Sequence, residues 1–197
     1  MQRVWLHLSG TTYGTWLRGD PRSFRSRNHR DHARGDYKHP PPPGTYDALH
    51  THARSLMKRP PVRLSRPARA LACTTIVEAL QFHGAIVRAA CLDDHHFHVL
   101  AALPMPTGSS PWASSLHPPK RKDADQLKTA ARHLMGIAKA RGARALTDSG
   151  LVPRGRVWTR RTRITRVRDR DHLLAIQRYI LDHAHQGAFV LTPPSTP

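Results

Sequence analysis

Residues Ala85 to Leu103 read AIVRAACLDDHHFHVLAAL: two apolar runs of strand length joined by a short polar stretch that holds two aspartates and runs into histidines. Ala85–Leu92 and His96–Leu103 predict two strands, with Asp93-Asp94-His95 as the turn between them. Both runs are apolar on at least one side, as central strands of a sheet are. A strand projects alternate residues to opposite faces. His96 and His98 therefore share one face, while Phe97 and Val99 enter the other layer. The bases of the two imidazoles stand about 7 Å apart, a spacing set by the strand rise.

Outward from this hairpin, Ser65 caps a helix over 66–83, with Pro67 in its first turn and Gly84 just past its end. Cys73, Ile76, Val77 and Leu80 give that helix one apolar face. Residues 3–9, RVWLHLS, alternate well enough for a first strand. An Arg-, His-, Gly- and Pro-rich segment runs from Gly10 to Gly44, and 45–58 predict a short helix. After a polar, Pro-rich loop at 104–121, Leu127, Ala131, Leu134 and Ala138 mark a helix over 123–141. Val157–Val167, VWTRRTRITRV, is extended and basic. A last helix, capped by Asp169 or Asp171, reaches Gln186 and stops at Gly187. The order strand, helix, hairpin, helix, strand, helix predicts an α+β fold with an antiparallel sheet and helices on one face. One domain over 1–190 is expected, with a basic irregular insertion at about 10–44 and a disordered tail over 191–197.

The chain has 197 residues, with 32 Lys and Arg against 13 Asp and Glu, a net charge of +19. A surplus of that size points to a polyanionic partner, because each basic group that neutralises a phosphate releases counterions. Its arginines are scattered rather than set along one amphipathic helix, which argues against a membrane surface. Cys73 and Cys91 are the only cysteines, each in an apolar run, so neither a disulfide framework nor a zinc finger is encoded. No apolar run is long enough to span a membrane, and MQRVWLHLSG lacks a secretory core. A cytoplasmic protein is the expectation.

The last helix adds chemistry to the histidine pair. Tyr179 and His183 are four residues apart and share a helix face, beside an apolar stripe of Leu173, Ile176 and Ile180. Two imidazoles at strand spacing are by themselves a weak metal signal, and a helical tyrosine is commonly just half-buried.

Three blocks taken together resemble the single-tyrosine HUH transposases, in particular the REP-associated tyrosine transposases. They are TTYGTWLRGDPR at 11–22, the triplet His96-Phe97-His98 followed by Val99-Leu100, and Tyr179-Ile180 with His183 and Gly187 beyond. The resemblance implies a ferredoxin- or RRM-like antiparallel sheet with a catalytic C-terminal helix. It implies that His96, His98 and His183 bind Mg²⁺ or Mn²⁺, although the family commonly has Gln or Asn where His183 stands. It implies that Tyr179 attacks the scissile phosphate of single-stranded or hairpin DNA, leaving a 5′-phosphotyrosine and a free 3′-hydroxyl. Arg18, Arg22, Arg160, Arg161, Arg163, Arg166 and Arg168 are then expected to track phosphates, and Trp16 or Trp158 to stack on an unpaired base. His95 is expected to face away from the pair as a bystander or DNA contact. The reading admits a monomer or a homodimer. Its rivals are a domesticated nucleic-acid-binding protein that no longer cuts, and a metal-dependent hydrolase that uses water as its nucleophile.

Overall fold

The computed structural model describes residues 3–20, 22, 24, 32–34, 39, 41–104 and 123–194. In chain order its elements are β1 (Arg3–Thr11), α1 (Asp47–Ser55), α2 (Arg66–Phe82), β2 (Ile86–Leu92), β3 (His96–Pro104), α3 (Asp123–Asp148), β4 (Arg163–Arg166), α4 (Arg170–Asp182), a 3-10 turn (His183–Gln186) and β5 (Phe189–Leu191). The described strands form one five-stranded sheet in the order β4-β1-β3-β2-β5, antiparallel throughout. Its first four strands have the β-α-β-β-α-β ferredoxin-like arrangement. β3 lies at the centre, paired with β1 from Arg3↔Pro104 to Thr11↔His96 and with β2 across the hairpin.

The period-two alternation of β3 divides the core. Phe97 and Val99 face the layer of α2 and α3. Phe97 meets Trp158 edge-on at 5.7 Å, and the Trp158 Nε1 donates to the Lys139 carbonyl of α3 at 2.9 Å. On the other face Ala89, Cys91 and Leu100 receive Leu173, Ile176 and Ile180 of α4, flanked by Trp5, Val167 and Val190. The α+β class and the antiparallel sheet agree with the sequence. The difference is α4, which covers the face opposite to α2 and α3.

Most predicted elements fall within two residues of those observed, and three differences have physical causes. α3 does not end near 141 but continues to Asp148. Gly142, which looks like a stop signal, is the point where α3 crosses α2: a Cβ there would lie 3.2 Å from Ile76 Cγ1. β4 spans only Arg163–Arg166; before it Val157 and Trp158 are buried, and the Thr159 amide donates to the Thr11 carbonyl at 2.9 Å. The buried Lys139 ammonium donates to the carbonyls of Thr159 and Arg160, at 2.8 and 3.3 Å, which fixes the approach to β4. Residues 189–191 form β5, pairing with β2 from Leu92↔Phe189 to Ala90↔Leu191, so Leu191 is strand rather than tail. Residues 195–197 of the expected tail, and most of the 104–121 loop, lie outside the described residues.

The chain divides into two compact units, Met1–Thr11 with Arg63–Pro197, and Thr12–Val62. Within the second unit the Val62 amide donates to the Tyr13 carbonyl at 2.9 Å, and Thr12 Oγ1 donates to the Val62 carbonyl at 2.7 Å. Its ends are thereby tied together. Asp20 is buried and accepts three bonds from Arg22, the amide and Nε to Oδ1 at 3.0 and 2.9 Å and Nη2 to Oδ2 at 2.8 Å. Burial alone would raise the Asp20 carboxyl, but these bonds and the guanidinium charge hold it below its ordinary value. Both cysteines are buried free thiols, pushed up to about 12 chiefly by burial. No described helix is long and apolar enough to cross a membrane.

Candidate active site

Two local periodicities, brought face to face by packing, build the site. On β3 the strand repeat sets His96 and His98 on the face that α4 covers. Asp169 starts α4 by accepting the His172 amide at 2.8 Å, which fixes the phase of the helix. Leu173, Ile176 and Ile180 then face the sheet, with Tyr179 beside Ile180 and His183 one turn further on. Gly187 ends the 3-10 turn with φ 83°, and the Arg69 guanidinium of α2 donates to its carbonyl at 2.7 Å. Arg69 also donates from Nε to the Leu64 carbonyl at 3.0 Å, so the end of the tyrosine helix is fastened to α2.

The result is a ring of aromatic side chains. His96 Nε2 and His183 Nε2 are 3.2 Å apart. The ring centroids of His98 lie 5.1 Å from His96 and 5.0 Å from His183. One nitrogen from each of the three lies within 4.8 Å of the others. The Tyr179 hydroxyl is 3.4 Å from His98 Nε2, and its ring is 4.7 Å from His183. His183 is buried at 4 %, whereas Tyr179 remains 47 % exposed.

Burial is the first cause of the shifts of His98, His7, His96 and Tyr179. It is the first cause that lowers His98 to about 3, followed by the neighbouring His7, His96, His183 and Arg163. His7 is lowered to about 4 by burial and then by Arg163. His96 is lowered by burial and His95, against the opposing pull of Asp93. Burial raises the Tyr179 phenol. Neutral imidazoles with converging lone pairs are the donor state that a divalent cation requires. His96 Nδ1 and His183 Nδ1 are buried without hydrogen-bond partners, while the two Nε2 atoms meet each other. These three residues could hold a metal ion. A second group among the described residues, Asp93, His95 and His96, shares one histidine with the first.

The basic residues divide by location. Arg163 lies opposite Ser9 on β1, and Thr165 opposite His7, so Arg163 shares the face of the histidines. Arg166 pairs with Leu6 and lies on the reverse face. Arg160, Arg161 and Arg168 are exposed. Arg18 and Arg22 belong to the Thr12–Val62 unit, where Arg22 pairs with Asp20 and its guanidinium carbon lies 4.3 Å from the centre of the Trp16 ring. Two expectations are corrected. Trp158 is 5 % exposed, wedged between Phe97 and α3, and has no free face for a base; Trp16 is 48 % exposed, with the Arg22 guanidinium over its ring. His95 does not turn away from His96, whose ring centroid is 4.7 Å distant, and it bonds the Asp94 carboxylate.

Sequence reasoning missed His7 and Asp93. His7 Nε2 is 2.9 Å from His98 Nδ1, and Asp93 Oδ2 is 3.6 Å from His96 Nδ1. The alternation of VWLHLS separates His7 from Leu6 and Leu8, but only the β1–β3 register sets it diagonal to His98.

No family model and no curated protein matches the chain. A solved structure of a REP-associated tyrosine transposase bound to a REP hairpin is similar over 95 % of this chain and 70 % of that one, with 9 % identity and a TM-score of 0.38.

Proposed function

We propose that this chain is a metal-dependent single-stranded DNA endonuclease and strand transferase that forms a 5′-phosphotyrosine intermediate at hairpin-flanked DNA. The observation that carries this reading is the Tyr179 hydroxyl, half-exposed and 3.4 Å from a nitrogen of the three-histidine group. Tyr179 Oη attacks phosphorus, the bond from phosphorus to the 3′ oxygen breaks, and the phenol proton is delivered, in net, to that departing oxygen. The phosphodiester energy is kept in the tyrosyl link, so the strand can be rejoined without ATP. A phenol, raised further here by partial desolvation, is a poor nucleophile at neutral pH. A bound divalent cation supplies positive charge that polarises the phosphate and favours the phenolate.

His96, His98 and His183 would hold that cation. A donor set of three imidazoles and no carboxylate suits Mn²⁺ or a heavier borderline ion better than Mg²⁺, which prefers oxygen ligands in an octahedral shell. Arg163, on the histidine face, holds the phosphate chain beside the site. Arg160, Arg161 and Arg168 extend the same positive track. The net charge of +19 supports a nucleic-acid partner on independent grounds.

The test is incubation of the purified chain with labelled single-stranded hairpin oligonucleotides and Mn²⁺, resolved on a denaturing gel. A protein-linked band is expected, lost on Tyr179→Phe and on chelation. Cleavage that survives Tyr179→Phe would indicate water as the nucleophile. Binding without cleavage in any metal would leave a DNA-binding protein.

A further inference from the structure

His7 is a buried-face histidine that the proposed chemistry leaves unused, and it lies against one of the residues that chemistry needs. On β1 it is opposite Leu100 of β3 and Thr165 of β4, one step diagonal from His98. Its Nε2 is 2.9 Å from His98 Nδ1, and the two rings stack at 5.1 Å with 30° between their planes. At that separation a single proton lies between the two nitrogens.

There are two ways to place it. If His7 donates, His98 Nδ1 accepts, and the neutral His98 ring carries its hydrogen on Nε2. That hydrogen would point into the space shared with His96, His183 and Tyr179. If His98 donates, His7 accepts, and His98 Nε2 keeps a bare lone pair aimed at the other two imidazoles. Only the second arrangement lets His98 be a ligand, since the partner at one ring nitrogen decides which form the other takes. A hydrogen-bond acceptor behind a ligating imidazole also fixes the plane of the ring and raises its basicity. An apolar side chain at position 7 would fill the same volume and do neither.

We infer that His7 is a positioning residue: it accepts the Nδ1 proton of His98, holds that ring as the Nδ1–H tautomer, and so presents Nε2 for coordination. The inference rests on the metal reading given above. His7 itself touches neither cation nor DNA; it acts through His98. Its own proton sits on Nδ1. Tyr179 stands at the far side of the relay, its ring 6.2 Å from that of His7 and its hydroxyl beside His98 Nε2. A misassigned His98 tautomer would therefore put an N–H where the cation needs a lone pair.

The experiment uses the full chain with ¹⁵N-labelled histidine and long-range proton–nitrogen correlation spectra, without added metal. His98 should show a protonated Nδ1 and a bare Nε2. In His7→Phe, which keeps the ring volume but offers no acceptor, the His98 proton should move largely to Nε2. In His7→Glu, whose ionised carboxylate can only accept, it should stay on Nδ1. Should the Phe variant fail to fold, His7→Leu takes its place. Calorimetric titration with Mn²⁺ gives a second readout: affinity should fall about 10- to 100-fold in the Phe variant and be largely retained in the Glu variant. His98 that carries its proton on Nε2 in the wild type, or that keeps it on Nδ1 in the Phe variant, overturns the inference. So does an unchanged Mn²⁺ affinity in the Phe variant. A wild-type chain that binds no divalent ion sinks the metal reading instead, and the tautomer measurement then decides the role of His7 alone.

Discussion

At the scale of single residues, the site works by keeping several ionisable rings uncharged in a small volume. His98 and His7 are held neutral by burial, down to about 3 and about 4. An unfolded chain would protonate the same imidazoles near their ordinary value of 6.5. Below that value the unfolded state therefore binds protons that the folded state refuses, and stability falls as pH falls. The contribution is complete above about pH 6.5 and is lost progressively through about pH 4 for His7 and about pH 3 for His98. With allowance for partial solvent exposure, the loss between pH 7 and pH 4 should be on the order of 1–3 kcal/mol. Urea unfolding midpoints measured at pH 7.5, 5.5 and 4 will show it as a steady decline; a flat profile would contradict it. Tyr179→Phe should behave differently. It removes a half-exposed hydroxyl, so the unfolding midpoint should hardly move while the covalent adduct disappears.

At the scale of elements, α4 is the part whose position decides the site. Ile180 is fully buried in the cluster with Leu100 and Cys91, immediately after Tyr179 in sequence. Ile180→Ala should cost about 2–5 kcal/mol, the range for truncating a buried branched side chain. It should also loosen Mn²⁺ binding, because His183 and Tyr179 ride on the same helix. Leu174→Ala, at 39 % exposure, is the matched control and should do little to either. Trp158→Ala separates the buried reading of that residue from a DNA-stacking one. It should lower thermal stability by about 3–5 kcal/mol, and any loss of DNA affinity should track the unfolded fraction. Gly10 is a further sensitive point. A Cβ there would stand 2.7 Å from the buried Phe97 ring, so Gly10→Ala must displace the residue between the two histidines of β3.

At the scale of the whole molecule, a charge of +19 is a statement about partners rather than about fold. Binding to single-stranded DNA should weaken steeply with salt, with log K falling by about 0.7 per phosphate contacted for each decade of concentration. Arg163→Ala and Arg166→Ala remove equal charge from opposite faces of the sheet. Fluorescence anisotropy should show the larger loss of affinity, and the larger drop in salt slope, for Arg163. Equal losses would mean that the DNA does not follow the histidine face.

Sequence periodicity alone determined the β2–β3 hairpin, α2 between Ser65 and Gly84, and α4 from Asp169. It also paired His96 with His98 and Tyr179 with His183, since those relations depend only on backbone repeats of two and of about four residues. Tertiary structure decided what those repeats could not encode. The passage of α3 through Gly142 is a helix-crossing contact, and the burial of Trp158 follows from where Phe97 and α3 meet. β5 is three residues long and exists only because β2 offers it an edge. The nearness of His7 to His98 spans 91 positions and follows from the β1–β3 register. Local geometry fixes which side chains share a face; only long-range packing chooses which faces meet.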